Sequence, residues 1–155
     1  MKHGCRGFTL LELMIVIVLT GVMLGMVNFA TGRNPGLDAR LEATHIASMV
    51  GQLRERAVLE GRVYGVRLSA EGYRPMRLES QGWRPLSGVR QWPANLQVDV
   101  EQEGHFVALA RDEGSPQWLM LSSDETSVFS LTFSSTDRTW LRLSSDGLGE
   151  VVIDG

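Results

Sequence analysis

Three hydrophobic rhythms follow one another along the chain. From Phe8 to Ala30 apolar residues run almost unbroken, FTLLELMIVIVLTGVMLGMVNFA, 23 residues with Glu12 as the one formal charge. As a helix this stretch would be roughly 35 Å long, at about 1.5 Å rise per residue. A bilayer core is about 30 Å thick and takes about 20 apolar residues. The run is therefore predicted to span a membrane, with its backbone groups satisfied inside the helix. Lys2 and Arg6 precede it and bias the N-terminus to the cytoplasmic side, leaving the rest of the chain on the far side. The run is too long for the apolar region of a secretory signal peptide. No small-residue cleavage site follows within Asn28–Arg33.

The second rhythm follows a break at Gly32-Arg33-Asn34-Pro35-Gly36. Proline removes a helical hydrogen bond and pushes the residue before it out of helical angles, so residues 31–37 are expected to form a kink or hinge. Asp38 then suits an N-cap. Over residues 38–61 Leu41, Ile46, Met49, Val50, Leu53 and Ala57 recur at helical spacing, while Arg40, Glu42, Arg54, Glu55 and Glu60 fall largely elsewhere. Gly61 suits the C-terminal stop.

From Arg62 the period becomes two. Tyr64, Val66 and Leu68 alternate with Val63, Gly65 and Arg67, and Tyr73–Glu79 follows, with Pro75 suggesting an edge strand. Further short apolar runs are Trp83–Leu86, Asn95–Glu101, His105–Ala110, Gln117–Leu121, Val128–Phe133, Trp140–Leu143 and Glu150–Ile153, separated by Gly-, Ser- and Asp-rich turns. Many short strands at this spacing predict antiparallel sheets, as one sheet or two packed face to face. The fold class is α+β: a long N-terminal helix, half membrane stem and half amphipathic, packed on a β-rich head over residues 62–155.

Charge adds one feature. Between Arg62 and Arg90 six arginines face only Glu71 and Glu79; from Gln91 onward eleven acids face Arg111, Arg138 and Arg142. This is either a solvated surface or a pair of complementary faces between neighbouring subunits. Cys5 is the one cysteine, so no intrachain disulfide can form.

Residues Gly7-Phe8-Thr9-Leu10-Leu11-Glu12, after a short basic segment and before an apolar run, closely resemble the cleavage motif of type IV pilins and type II secretion pseudopilins. The resemblance implies a leader over residues 1–7. A prepilin peptidase would cut between Gly7 and Phe8 and N-methylate Phe8. It also implies an assembly role for Glu12: in a helical bundle this carboxylate can neutralise the new Phe8 amine of a neighbour, since both charges are costly in lipid unless paired. Residues 8–30 become the stem. Gly21 and Gly25 have the G-x-x-x-G spacing that permits close helix approach, although two glycines without a packing role are an equal reading. In the head, the paired strands ending near Trp83, the Ser-rich turns and the final Asp146-Gly147-Leu148-Gly149-Glu150 turn look like the H-type minor pseudopilins of type II secretion.

That resemblance implies a single-pass inner-membrane protein with a periplasmic head, built into a pilus-like filament at or near its tip. Its implied partners are the peptidase, other minor and major pseudopilins, the inner-membrane assembly platform and exported proteins. The alternative is a minor pilin of a type IV pilus, including a DNA-uptake subunit: Arg74, Arg77, Arg84 and Arg90 interleave with Tyr73, Trp83 and Trp92, as in single-strand binders. The acidic head argues against nucleic acid. No catalytic motif is present in the sequence, and the acids Asp124, Glu125, Asp137 and Asp146 are scattered rather than clustered for calcium. No enzyme activity, metal or cofactor is expected.

Overall fold

A computed structural model describes the backbone of residues 10–30, the side chains of residues 10–22, and residues 34–155 in full. The chain divides into two units, Met1–Asn34 and Pro35–Gly155. The first contains helix α1 (Leu10–Ala30). The expected leader and residues 31–33 of the expected kink lie outside the described residues; residues 35–37, expected in the kink, belong to the helix that follows.

The head opens with α2 (Pro35–Glu60). It begins at Pro35, ahead of the Asp38 where the sequence places a cap; proline is suited to a first helical turn, where its missing N–H has no partner to lose. Asp38 instead accepts a 2.8 Å hydrogen bond from Asn95 Nδ2. The buried stripe is Ala39, Ala43, Ile46, Val50, Leu53 and Ala57. Leu41, expected inside, is 61% exposed. The small alanines let the first turns approach the sheets closely, and Glu42 is drawn inside with them. Gly61, at φ 62, ends the helix, and Arg62 N donates to Ala57 O at 3.1 Å.

Ten strands follow: β1 (Tyr64–Leu68), β2 (Gly72–Glu79), β3 (Gly82–Pro85), β4 (Arg90–Gln91), β5 (Gln97–Gln102), β6 (His105–Phe106), β7 (Trp118–Met120), β8 (Phe129–Ser135), β9 (Arg138–Ser145) and β10 (Val152–Asp154). They form two antiparallel sheets. The first has the order β3-β2-β1-β7, with β4 also paired to β2; the second has the order β10-β9-β8-β5-β6. The expected antiparallel α+β head is present in its two-sheet form.

One core joins α2 to both sheets. Trp118 of β7 stacks on Phe129 of β8 at 3.8 Å, and Tyr73, Trp92 and Phe133 make a second aromatic path between the sheets, at 4.9 and 6.4 Å. Burying each such side chain contributes about 1.5–3 kcal/mol.

Two strands differ from simple alternation. All five residues of β1 are buried, because α2 covers one face and the segment before β7 covers the other. A Cβ on Gly65 would come within 2.6 Å of Pro116 Cγ. Pro75 is not on an edge: β2 lies inside the sheet, paired with β1 on one side and with β3 and β4 on the other. Its carbonyl accepts from Leu86 N at 2.9 Å on the β3 side. Donor and acceptor of one strand residue point the same way, so the missing N–H falls where β3 and β4 are interrupted.

Candidate functional site

The first candidate surface is α1. Its one charge, Glu12, lies in the first turn. Every described side chain from Leu10 to Val22 is exposed, with Leu10 at 79% and Ile15 at 50%. Gly21 faces open space, and the Thr20 hydroxyl returns a 2.7 Å hydrogen bond to Val16 O, so it adds little polarity. A helix that is apolar all round is stable only inside protein or lipid. Among the described residues no helix is long and apolar enough to cross a membrane; the described side chains of α1 stop at Val22. Gly7 and Phe8 lie outside the described residues.

The second surface is the head, and three polar clusters organise it. Glu42 on α2 is 5% exposed. It accepts from the Tyr73 hydroxyl at 2.5 Å and from Arg90 Nε and Nη2 at 2.9 and 3.0 Å. Burial pushes the Glu42 carboxyl up, but the Arg90 and Tyr73 hydrogen bonds outweigh it and hold the group below its ordinary range. Burial and the adjacent carboxylate push the Tyr73 hydroxyl far up, so it stays a donor. Beside this triad a cleft of about 470 Å³ opens between α2 and the loop before β4, with His45, Met49, Pro75 and Val89 on its walls.

Arg54, lower on α2, reaches two separate turns. It binds Asp124 through Nε–Oδ1 at 2.6 Å and Nη2–Oδ2 at 2.9 Å, and donates to Leu148 O and Gly149 O at 2.6 and 2.7 Å. Asp146 closes the second turn by accepting from Leu148 N and Gly149 N at 3.0 and 2.7 Å. Those backbone donors lower its pKa.

Asp112 forms the third cluster, between Arg67 and Arg74, each at 2.7 Å. Gln117 continues it by pairing its side-chain amide with both Leu68 N (2.8 Å) and Leu68 O (3.1 Å), in place of a strand neighbour.

These clusters answer part of the charge asymmetry in the sequence. Of the later acids, Asp112 is paired with the early-strand arginines Arg67 and Arg74; Arg77, Arg84 and Arg90 are paired with Glu79 or Glu42. Of the arginines considered for nucleic acid, Arg74 pairs with Asp112, Arg77 and Arg84 with Glu79, and Arg90 with Glu42. Trp92 donates to Ser69 O at 2.9 Å from the core edge. Each of the four arginines is thus paired with a carboxylate of the same head, with Arg84 and Arg90 still 69% and 51% exposed. Among the described residues no three His, Cys, Asp or Glu side chains are grouped to hold a metal.

Sequence reasoning missed Glu42, which it placed on the outer face, and the hub role of Arg54. Nothing local marks either; each is defined by partners more than 30 positions away. It brought Asp124 and Asp146 to turns, where they are found.

Residues 2–28 match the prokaryotic N-terminal methylation motif family. The head resembles the minor pseudopilin EpsH from the type 2 secretion system of Vibrio cholerae (TM-score 0.62, 23% identity, 75% of this chain and 95% of that one). It also resembles the solution structure of Escherichia coli GspH (TM-score 0.63, 20% identity, 79% and 93%); at such identities the likeness speaks for the fold. Type II secretion system protein H of Aeromonas hydrophila is 28% identical over 88% of this chain and 84% of its own length. The protein of the same name from Pseudomonas aeruginosa is 34% identical over 94% of this chain and 93% of its own length. With a methylation-motif stem, a two-sheet head and that near full-length identity, the chain belongs to the type II secretion system protein H family, the H-type minor pseudopilins.

Proposed function

We propose that this minor pseudopilin is matured by cleavage between Gly7 and Phe8 with N-methylation of Phe8. It is held in the inner membrane by residues 8–30 with its head in the periplasm, and it enters a short filament at or near the tip. The observation that carries this is the company Glu12 keeps. A carboxylate stands in the first turn of a helix whose described side chains are otherwise almost all apolar and exposed, inside the matched methylation motif of residues 2–28.

Such a stem needs lipid or other stems around it. A carboxylate near the middle of a membrane helix costs about 2.5–3.5 kcal/mol on insertion scales, and less near an end. Pairing with the Phe8 amine of an adjoining subunit would offset that cost and set axial register, as one buried polar residue does in a coiled coil. The head adds surfaces that choose neighbours, and its partners are other pseudopilins, the assembly platform and exported proteins. Its role is structural rather than catalytic.

The mass of the mature N-terminus tests the proposal. A chain beginning with methylated Phe8 is expected in cells with an active prepilin peptidase, and the unprocessed form in cells without it. A chain still beginning at Met1 beside an active peptidase would overturn the filament assignment.

A further inference from the structure

The outward face of α2 changes character along its length. Positions 37, 41, 44, 48, 52 and 55 follow one line at helical spacing, and all six residues are exposed. In order they are Leu37, Leu41, Thr44, Ser48, Gln52 and Glu55: first apolar, then polar and neutral, then charged. Leu37 and Leu41 are 56% and 61% exposed and, one turn apart, make a single patch. Leu41 is the residue that the sequence places in the core and the head leaves outside.

The charge beside the patch is basic. Arg40 is exposed, with Nη2 3.5 Å from Gly155 O; that contact occupies one of its five N–H donors. Arg33 precedes the helix in the sequence. The acid of the same turn, Asp38, is half-buried and accepts from Asn95 Nδ2 at 2.8 Å.

Chain length limits what can meet this patch. From Ala30 to Pro35 the chain reaches at most roughly 18 Å, even fully extended, and Leu37 and Leu41 lie roughly 3 and 9 Å further along α2. With residues 8–30 spanning the bilayer, Ala30 stands at the far boundary of a hydrocarbon core about 30 Å thick, next to a headgroup layer of roughly 5–8 Å. The first turns of α2 then start within reach of that layer. A helix lying flat on it would press Ser48, Gln52 and Glu55 into the same zone, so the graded line fits contact at the first two turns alone.

We infer that in the subunit before assembly the Leu37–Leu41 patch rests on the membrane surface, with its two leucines among the headgroups and upper acyl chains and Arg40 reaching the phosphates. This rests on the membrane anchor proposed above. Apolar side chains with a basic neighbour are what holds a helix segment at a bilayer interface, and arginine can lay its methylene stem on apolar surface while its charge stays at the phosphate level.

The test uses the full chain with Cys5→Ser, held as a single copy in each nanodisc of phosphatidylcholine and phosphatidylglycerol. A polarity-sensitive fluorophore is attached at Leu41→Cys or, in separate preparations, at Ser48→Cys or Leu59→Cys. Leu59 is the control: it is 76% exposed on the same helix, roughly 27 Å beyond Leu41. Lipids brominated high on the acyl chain should quench the label at position 41 about threefold or more over that at 59, with 48 close to 59. Leu37→Ser with Arg40→Gln should bring position 41 down to the level of 59 and leave the melting temperature of the head unchanged, because exposed side chains contribute little to folding. Equal quenching at 41 and 59, or quenching at 41 that the double variant does not move, would overturn the lipid contact and leave the membrane anchor standing. Shielding of position 41 that needs several copies in one disc would do the same, assigning the patch to a protein contact. A chain that fails to enter the discs would overturn the anchor, and the lipid contact with it.

Discussion

Tyr73 of β2 donates its hydroxyl to Glu42 of α2 over 2.5 Å, and both side chains are almost fully buried. The bond ties α2 to the first sheet at a buried point. Arg90 completes the set from β4, which pairs with β2 at Tyr73 itself. Helix, central strand and edge strand are thus keyed together at one carboxylate.

Glu42→Ala should therefore be among the most damaging substitutions in the head. Removing one partner of a buried charged pair costs about 3–5 kcal/mol; the Arg90 side chain is about half exposed, and solvent screening brings the expectation down to about 2–3 kcal/mol. Urea unfolding of the chain in detergent, followed by tryptophan fluorescence, measures it. Loss of less than about 1 kcal/mol would show that the triad adds little beyond packing.

The same triad sets a pH response. The folded-state pKa of Glu42 is lowered from its ordinary 4.5, so its contribution is present above that value and is lost as pH falls through the folded value. Tyr73 is raised from its ordinary 10.0, so stability falls as pH rises beyond about 10. The wild-type chain should lose stability on both flanks. Glu42→Gln should flatten the acid flank, which melting temperatures across pH would show; an unchanged acid flank would assign that loss to other carboxylates.

Arg54 is the second key. Its guanidinium holds the Asp124 turn and the Leu148–Gly149 turn together, using the planar fork that lysine lacks. Arg54→Lys is expected to cost about 1–3 kcal/mol, nearly as much as Arg54→Ala. Hydrogen exchange should speed up in both turns at once while β5 and β8 stay protected. Exchange confined to one turn would mean that the two are not coupled through this residue.

How much of this was legible in the sequence follows from the range of the interactions. The amphipathic helix, which starts three residues earlier than its expected Asp38 cap, the strand runs at Tyr64–Leu68 and Val128–Phe133, and the turns at Asp124 and Asp146 are local patterns, and each has its counterpart in the fold. The inner stripe of α2 was misjudged at Leu41 because alanine carries little hydrophobic signal, while Ala39 and Ala43 are what the close approach to the sheets requires. Pro75 was placed on an edge because proline usually is, whereas a local interruption between β3 and β4 accommodates it. β4 is two residues long and has no periodicity to read. Glu42 and Arg54 acquire their meaning from partners far along the chain. For the stem the case is reversed: Glu12 and the Gly7-Phe8 pair are conspicuous in the sequence, and their chemistry belongs to an assembly of several chains.

Two glycines offer a paired test of the packing. A Cβ at Gly72 would overlap the backbone carbonyl of Arg90 in the neighbouring strand, whereas at Gly51 on α2 it would meet nothing within 4 Å. Gly51→Ala should stabilise by about 0.5–1 kcal/mol through helix propensity. Gly72→Ala should destabilise by several times that amount and release β4, with Arg90 lost from Glu42. Equal effects at the two sites, measured by urea unfolding, would contradict the close approach of β2 and β4.

Glu12 provides the last prediction, under the proposed stem packing. If its carboxylate neutralises a neighbouring Phe8 amine, Glu12→Ala leaves that amine uncompensated in an apolar bundle, and Glu12→Gln restores size without charge. Both should enter the filament about tenfold or more less well than wild type, since each 1.4 kcal/mol is a factor of ten. Glu12→Asp keeps the charge on a shorter arm and should recover part of the loss. The head is a separate unit, so its melting temperature should be unchanged in all three, and processing after Gly7 should continue. Crosslinking yield between stems, normalised to the amount of mature chain in the membrane, reads the difference. Equal incorporation of Glu12→Gln and wild type would mean that the side chain acts by shape or hydrogen bonding, and the charge pairing would have to be abandoned.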